Sequence, residues 1–122
     1  MYPVRYPLIP AIVAIMILAA CSRDESGPPP DPAVIQQAKI LQPTDARLAT
    51  LYQQSCRACH MVGAGGAPLT GDQAAWDIRW RKGAEALRTS AIRGLNGMPP
   101  GAQCFTCSSE DYDALIRFMA GR

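Results

Sequence analysis

Histidine is almost absent: the 122 residues include a single one, His60. A site that needs two imidazoles from one chain is therefore excluded. Aromatic residues are scarce at 7%, so a core built from side chains alone would be thin. Neither sign of charge dominates, with 12 basic and 10 acidic residues and a formal charge of +2. That balance argues against nucleic acid as a partner, which usually asks for a clustered basic face. The apolar run from Ala11 to Ala20 falls well short of the ~20 residues that a membrane-spanning helix requires. No period-two alternation marks a strand, and no segment repeats. The length admits one domain.

What is present is punctuation and sulfur. There are 11 Pro and 10 Gly, so turns and extended segments are prominent, and five Cys, an odd count. Arg5, the apolar run and the small residues behind it have the layout of a secretory signal peptide over residues 1–20. Its end, Leu18-Ala19-Ala20-Cys21, resembles the lipobox of bacterial lipoproteins. That resemblance implies cleavage before Cys21 and acylation of it, and several acyl chains on one residue suffice for stable anchoring. Ser22, rather than Asp, follows the Cys, which by the sorting rule of that class favours the outer membrane. The expected location is thus exported and periplasm-facing. With Cys21 committed, Cys56, Cys59, Cys104 and Cys107 remain, in a compartment where leftover pairs can oxidise.

Residues 21–43 read as the lipidated Cys, a Pro-rich tether and a short helix. SRDESGPPP has no apolar periodicity and cannot fold alone. Asp31-Pro32 then has the form of a cap and first helical residue, and Val34, Ile35, Ala38 and Leu41 share a face before Pro43. The folded domain is expected over residues 44–122. Thr44 is a candidate cap for a helix carrying Leu48, Leu51 and Tyr52. Further helices are expected over Asp72–Lys82, Ala84–Arg93, and from Ser108 or Ser109 to Gly121. Leu115, Phe118 and Met119 mark the buried face of the last one. The chain reads as all-α with long Gly/Pro-rich connections.

Cys56-Arg57-Ala58-Cys59-His60 is C-x-x-C-H, the attachment spacing of a c-type haem. Two thiols on one helical turn match the two vinyl groups of one porphyrin, and the adjacent His supplies an axial bond to iron. The motif sits in an exported chain, uses the only His, and opens onto the Gly63–Gly66 loop that can pass close to a flat ring. The four remaining Cys could instead form a zinc site, but that leaves His60 unexplained. A thioredoxin-like pair would need a βαβ context, which is missing. The expected cofactor is one haem c, covalent through Cys56 and Cys59. It would also supply the apolar plate that a small, aromatic-poor domain lacks.

A second axial ligand cannot be His. Met1 and Met16 leave with the signal, Met61 is tied to the side of His60, and Met119 reads as core. Met98, in Asn96-Gly97-Met98-Pro99-Pro100, remains; the alternative is an apolar loop anchor beside open iron. The metal ligands expected are His60 and Met98.

These residues together resemble class I cytochromes c of the c-five type, over nearly all of the folded part. The pieces that carry the resemblance are Cys56–His60, Gly66-Ala-Pro-Leu-Thr-Gly-Asp72, Ala75-Trp76 with Arg79, Gly83, Met98-Pro-Pro100, Cys104-Phe-Thr-Cys107, and Ser109-Glu-Asp with Ala114–Met119. The resemblance implies a small class I cytochrome c fold, with helices wrapped around one covalently bound haem and the first and last helices of the domain crossing. It also implies His60/Met98 ligation, one-electron transfer and a Cys104–Cys107 disulfide. Trp76 is then either plain core or a donor from its indole N–H to a haem propionate. Arg79 either pairs with a propionate or is solvated. Arg79, Arg81, Lys82, Arg88 and Arg93 either form a docking face for an acidic partner or are simply solvated. The function expected is an electron carrier, not an enzyme, serving redox partner proteins and held to a membrane by lipid, with no small-molecule substrate. The competing classes are a haem sensor or small haem enzyme with open iron, and a purely structural subunit of a respiratory complex.

Overall fold

A computed structural model describes residues 29–122. The signal sequence, Cys21 and the tether through Pro28 lie outside the described residues. Among those described, every regular element is helical, and the single β-bridge joins Leu95 to Met98.

Helix α1 (Pro32–Ile40) starts where Asp31 accepts from the Ala33 N–H at 2.7 Å, with Pro32 in the first turn. It lies against the domain: Ala38 is fully buried, and Arg57 donates to the Lys39 carbonyl at 2.8 Å. Helix α2 (Ala46–Leu51) is capped by Asp45, which accepts from the Leu48 N–H at 2.8 Å. Thr44, the cap expected from sequence, sits one residue too early to reach that donor. A π turn, Tyr52–Cys56, follows and leads straight into α3 (Arg57–His60). Such widened turns concentrate at functional sites. Here Tyr52, Cys56 and His60, four residues apart in succession, all face inward and are buried.

Asp72 caps α4 (Gln73–Trp80) through the Ala75 N–H, as expected, but the helix ends two residues before Lys82. The chain must turn there to reach Gly83, whose φ of +87° suits glycine. Helix α5 (Ala84–Arg93) runs between Gly83 and Gly94. Helix α6 (Ser109–Met119) carries a capping box: Ser108 accepts from the Asp111 N–H, and Asp111 accepts from the Ser108 N–H at 2.9 Å.

The start of the domain meets its end. Tyr52 packs edge-on against Phe118 with ring centroids 5.1 Å apart. The Gly71 N–H donates to the Met119 carbonyl at 2.7 Å. Arg47 of α2 forks onto Asp111 of α6, at 2.5 and 2.8 Å. Leu115, Ile116 and Met119 are buried on the face of α6 that this crossing turns inward, while Phe118 is half-buried beside Tyr52.

Asp111 thus serves two partners with one carboxylate. The Arg47 fork, and after it the Ser108 N–H, hold its pKa well below the ordinary carboxylate range. A depressed pKa contributes stability that is present above the unfolded value of about 4 and is lost as pH falls below it. Asp111→Asn should therefore lower the melting temperature at pH 7, and the gap to wild type should close as pH falls through 4 toward 2. A gap that stays constant over that range would show that the carboxylate charge is not what joins α2 to α6.

Candidate haem site

The C-x-x-C-H motif falls across the joint between the π turn and α3. Cys56 ends the π turn and is buried; Cys59 and His60 close α3. Both sulfurs are free thiols. Burial, with Cys59 nearby, pushes the Cys56 thiol up to about 11, so it stands as an uncharged sulfur. Burial also lowers the His60 pKa; the Pro68 carbonyl opposes that shift and the charge of Arg79 adds to it. The ring is therefore neutral at pH 7. Its Nδ1 lies 2.7 Å from the Pro68 carbonyl oxygen, which can only accept. Nδ1 must then carry the proton, leaving the Nε2 lone pair for a metal.

The loop after α3 folds back onto the helix that launches it. The Thr70 N–H donates to the His60 carbonyl at 2.8 Å, and the Thr70 hydroxyl meets the Tyr52 hydroxyl at 2.8 Å. The Trp76 indole N–H donates to the Leu69 carbonyl at 2.9 Å, and its ring stacks on His60 with centroids 5.8 Å apart. This corrects the propionate role considered for Trp76: the donor is already committed, and the ring instead fixes the plane of His60.

Cys56, Cys59, His60, Trp76, Arg79 and Met98 all line one cavity of about 360 Å³. Its remaining walls come from the Ala64–Pro68 loop, from α5, and from Tyr112, Leu115, Ile116 and Met119 of α6. Met61 lies outside these walls, whereas Met119, expected as core, is both buried and part of them. Arg79 is half-buried and donates to the Ala75 carbonyl at 2.9 Å, so it is not a freely solvated cation. Arg88 is paired with Asp113 at 2.6 Å, which takes it out of the basic docking face.

Cys104 and Cys107 are joined to each other, with Cα atoms 5.4 Å apart. The four-cysteine zinc reading therefore fails on its own donors, and no group of three or more His, Cys, Asp or Glu among the described residues is placed to hold a metal. Tyr112, which sequence reasoning missed, reaches between the Gly101 and Cys104 carbonyls at 2.8 and 3.0 Å and ties the segment after Met98 to α6. It falls three residues before Leu115 and four before Ile116, so helical periodicity places it on the same face.

The donor set fits a c-type haem. Two free thiols, a neutral imidazole with an open Nε2 and a thioether share one largely apolar cavity, with Arg79 and Lys82 as its cations. Comparison with known proteins agrees. The family model for "Cytochrome C oxidase, cbb3-type, subunit III" matches residues 43–119. A cytochrome c5 of Ectopseudomonas mendocina is 41% identical over 73 residues, 58% of this chain and 84% of that protein. The solved mono-heme ferrocytochrome c from Shewanella putrefaciens is 42% identical, with a TM-score of 0.55 over 60% of this chain and 90% of that one. A chain in the crystal structure of an electron transfer complex of nitrite reductase with cytochrome c is 30% identical. Its TM-score is 0.56, over 63% of this chain and 94% of that one.

Trp76→Phe keeps a ring beside His60 but leaves the buried Leu69 carbonyl without its donor. The holoprotein should lose about 1–3 kcal/mol of stability in chemical denaturation, the cost of an unsatisfied buried polar group. An unchanged midpoint would place the indole N–H elsewhere.

Proposed function

The chain belongs to the class I c-type cytochromes of the c5 family, electron carriers with one haem c bound through the two cysteines of C-x-x-C-H, and from that premise we propose that it carries single electrons while anchored by lipid at the periplasmic face of a bacterial membrane. The haem, when bound, supplies the one-electron couple. The chain's own residues do the rest. Cys56 and Cys59 fix the group covalently, and His60 presents Nε2 to the metal because Pro68 holds Nδ1.

We assign the sixth ligand to Met98. The observation that supports it is the shared cavity: Met98 and His60 border one space, Met61 does not, and Met119, which also borders it, is committed to the core face of α6. A thioether in that place favours the reduced state and raises the potential. With His60 and Met98 both holding the iron, the chain would leave no position on it for a substrate, which suits a carrier. The partners are redox proteins. The Ala64–Pro68 loop and the stretch from Gly94 to Gln103 carry no charged residue, and both border the cavity. Docking there rests on shape and apolar contact, flanked by the exposed cations Arg81 and Arg93.

The membrane part of the proposal rests on the Leu18-Ala19-Ala20-Cys21 site, and the bonded Cys104–Cys107 pair supports an oxidising compartment. No helix among the described residues is long and apolar enough to cross a membrane. Cys21→Ser should move the protein from the outer-membrane fraction to a soluble or inner-membrane-retained form in detergent-free lysates. Continued outer-membrane fractionation would end the lipid-anchor reading.

Met98→Ala should keep covalent haem, since Cys56, Cys59 and His60 are untouched. It should abolish the Met-to-iron charge-transfer band of the oxidised protein, lower the potential and admit cyanide or carbon monoxide. Survival of the band would transfer the role to Met119, the other methionine on the cavity wall.

A further inference from the structure

Met98 sits in a two-residue turn. Leu95 and Met98 exchange both backbone hydrogen bonds, at 3.0 and 2.9 Å, across Asn96-Gly97. Asn96 takes the left-handed conformation the turn needs, with φ +53°. The φ of Gly97 lies outside the left-handed region, so its backbone does not demand glycine. Space does. A Cβ at position 97 would lie 2.8 Å from the Gly65 carbonyl oxygen and 3.0 Å from the Gly65 Cα, both backbone atoms that cannot swing aside. The turn is thus pressed against the loop that follows the C-x-x-C-H helix.

The other side of Met98 is closed in the same way. A Cβ on Gly94 would lie 2.9 Å from the Met98 carbonyl oxygen and 2.9 Å from the Pro100 nitrogen. Gly94 stops α5, so the Met98 backbone is held between the end of that helix and the Gly65 loop. Pro99 and Pro100 restrict the chain beyond it. Backbone packed closely enough to exclude a Cβ yields little, because neither side has a rotamer to change.

We propose that Gly94 and Gly97 are positioning residues for Met98: their missing side chains let two backbone contacts seat the Leu95–Met98 turn, and with it the thioether, at the cavity. This rests on Met98 as the sixth ligand. A methyl group at either position displaces the turn and weakens the hold of Met98 on its place, without touching the thiols or His60.

A matched control exists within the fold. Gly83 and Gly94 flank α5 with nearly the same backbone, φ +87° and ψ 158° against φ +84° and ψ 152°. A Cβ on Gly83 meets nothing within 4 Å. Gly83→Ala therefore carries the same conformational strain as Gly94→Ala with none of the contact.

The test is imidazole titration of the oxidised full-length holoproteins, followed through loss of the Met charge-transfer band. Gly97→Ala and Gly94→Ala should each bind imidazole at least about tenfold more tightly than wild type, a shift of about 1.4 kcal/mol. Gly83→Ala should stay within about twofold of wild type, because a competing ligand gains only where the Met-off state has become more populated. The two variants press on Met98 from different sides, so either decides the matter if the other yields no holoprotein. Imidazole affinities at the wild-type level, or a Gly83→Ala shift equal to that of Gly94→Ala, would overturn the proposal. Met98→Ala run in parallel separates the two ways of failing. If it loses the band while the glycine variants stay at wild type, only the seating is wrong; if it keeps the band, the ligand assignment fails and the seating with it.

Discussion

One hydrogen bond decides what His60 can do. With Nδ1 donating to the Pro68 carbonyl, the ring is neutral and its lone pair is fixed on Nε2. The residues that make this possible are consecutive. Pro68 accepts through its carbonyl oxygen, and its ring restricts the backbone that presents it. Leu69 offers its carbonyl to the Trp76 indole, which brings a flat face against the imidazole. Thr70 returns its N–H to the His60 carbonyl and its hydroxyl to Tyr52. Three residues of loop thereby hold the ring nitrogen, the ring plane and the end of α3, which continues directly from the turn that carries Cys56. Loops that position chemistry on a rigid scaffold work in this way, and here the scaffold is tied down by the loop as well.

The frame around that loop is joined by polar bonds between its elements. Arg47 and Asp111 meet where α2 crosses the start of α6, and Tyr112 donates outward to the Gly101 and Cys104 carbonyls. An unpaired polar group on the wall would be costly to bury against an apolar plate, and the Tyr112 hydroxyl is satisfied by both carbonyls. Placing Tyr112 on the cavity and its hydroxyl on the segment that follows Met98 also gives α6 a grip on the ligand loop.

Much of this was legible in the chain itself. Cys56, Cys59, His60 and Met98 share a cavity because the spacing of C-x-x-C-H fixes three of them and elimination leaves the fourth. The caps at Asp31, Asp72 and Ser108 follow from short polar side chains placed just ahead of helical periods. Other features lie beyond local pattern. The π turn at Tyr52–Cys56 adds a residue to a helical turn, which no period of 3.6 announces. Asp45 caps in place of Thr44 because of where the first free N–H falls, a matter of one residue. The partners of Trp76 and Arg88 depend on which distant group arrives first, the Leu69 carbonyl in one case and Asp113 in the other. Gly97 stands in the sequence only as a neighbour of Met98; its reason for being glycine is a close approach to the Gly65 backbone, remote in sequence.

The scarcity of aromatic residues and the cavity are two views of one fact. Interiors are packed as densely as organic crystals, yet a space of about 360 Å³, lined largely by apolar atoms, lies between these helices. The haem is therefore part of the core as well as the working part. Covalent attachment at Cys56 and Cys59 then has a structural reason beside the chemical one: a core element that could dissociate would take the fold with it. The same reasoning accounts for loops rich in glycine and proline around the cavity. Their shape is set by close backbone contacts and restricted dihedral angles rather than by large side chains, for which a plate of that size leaves no room.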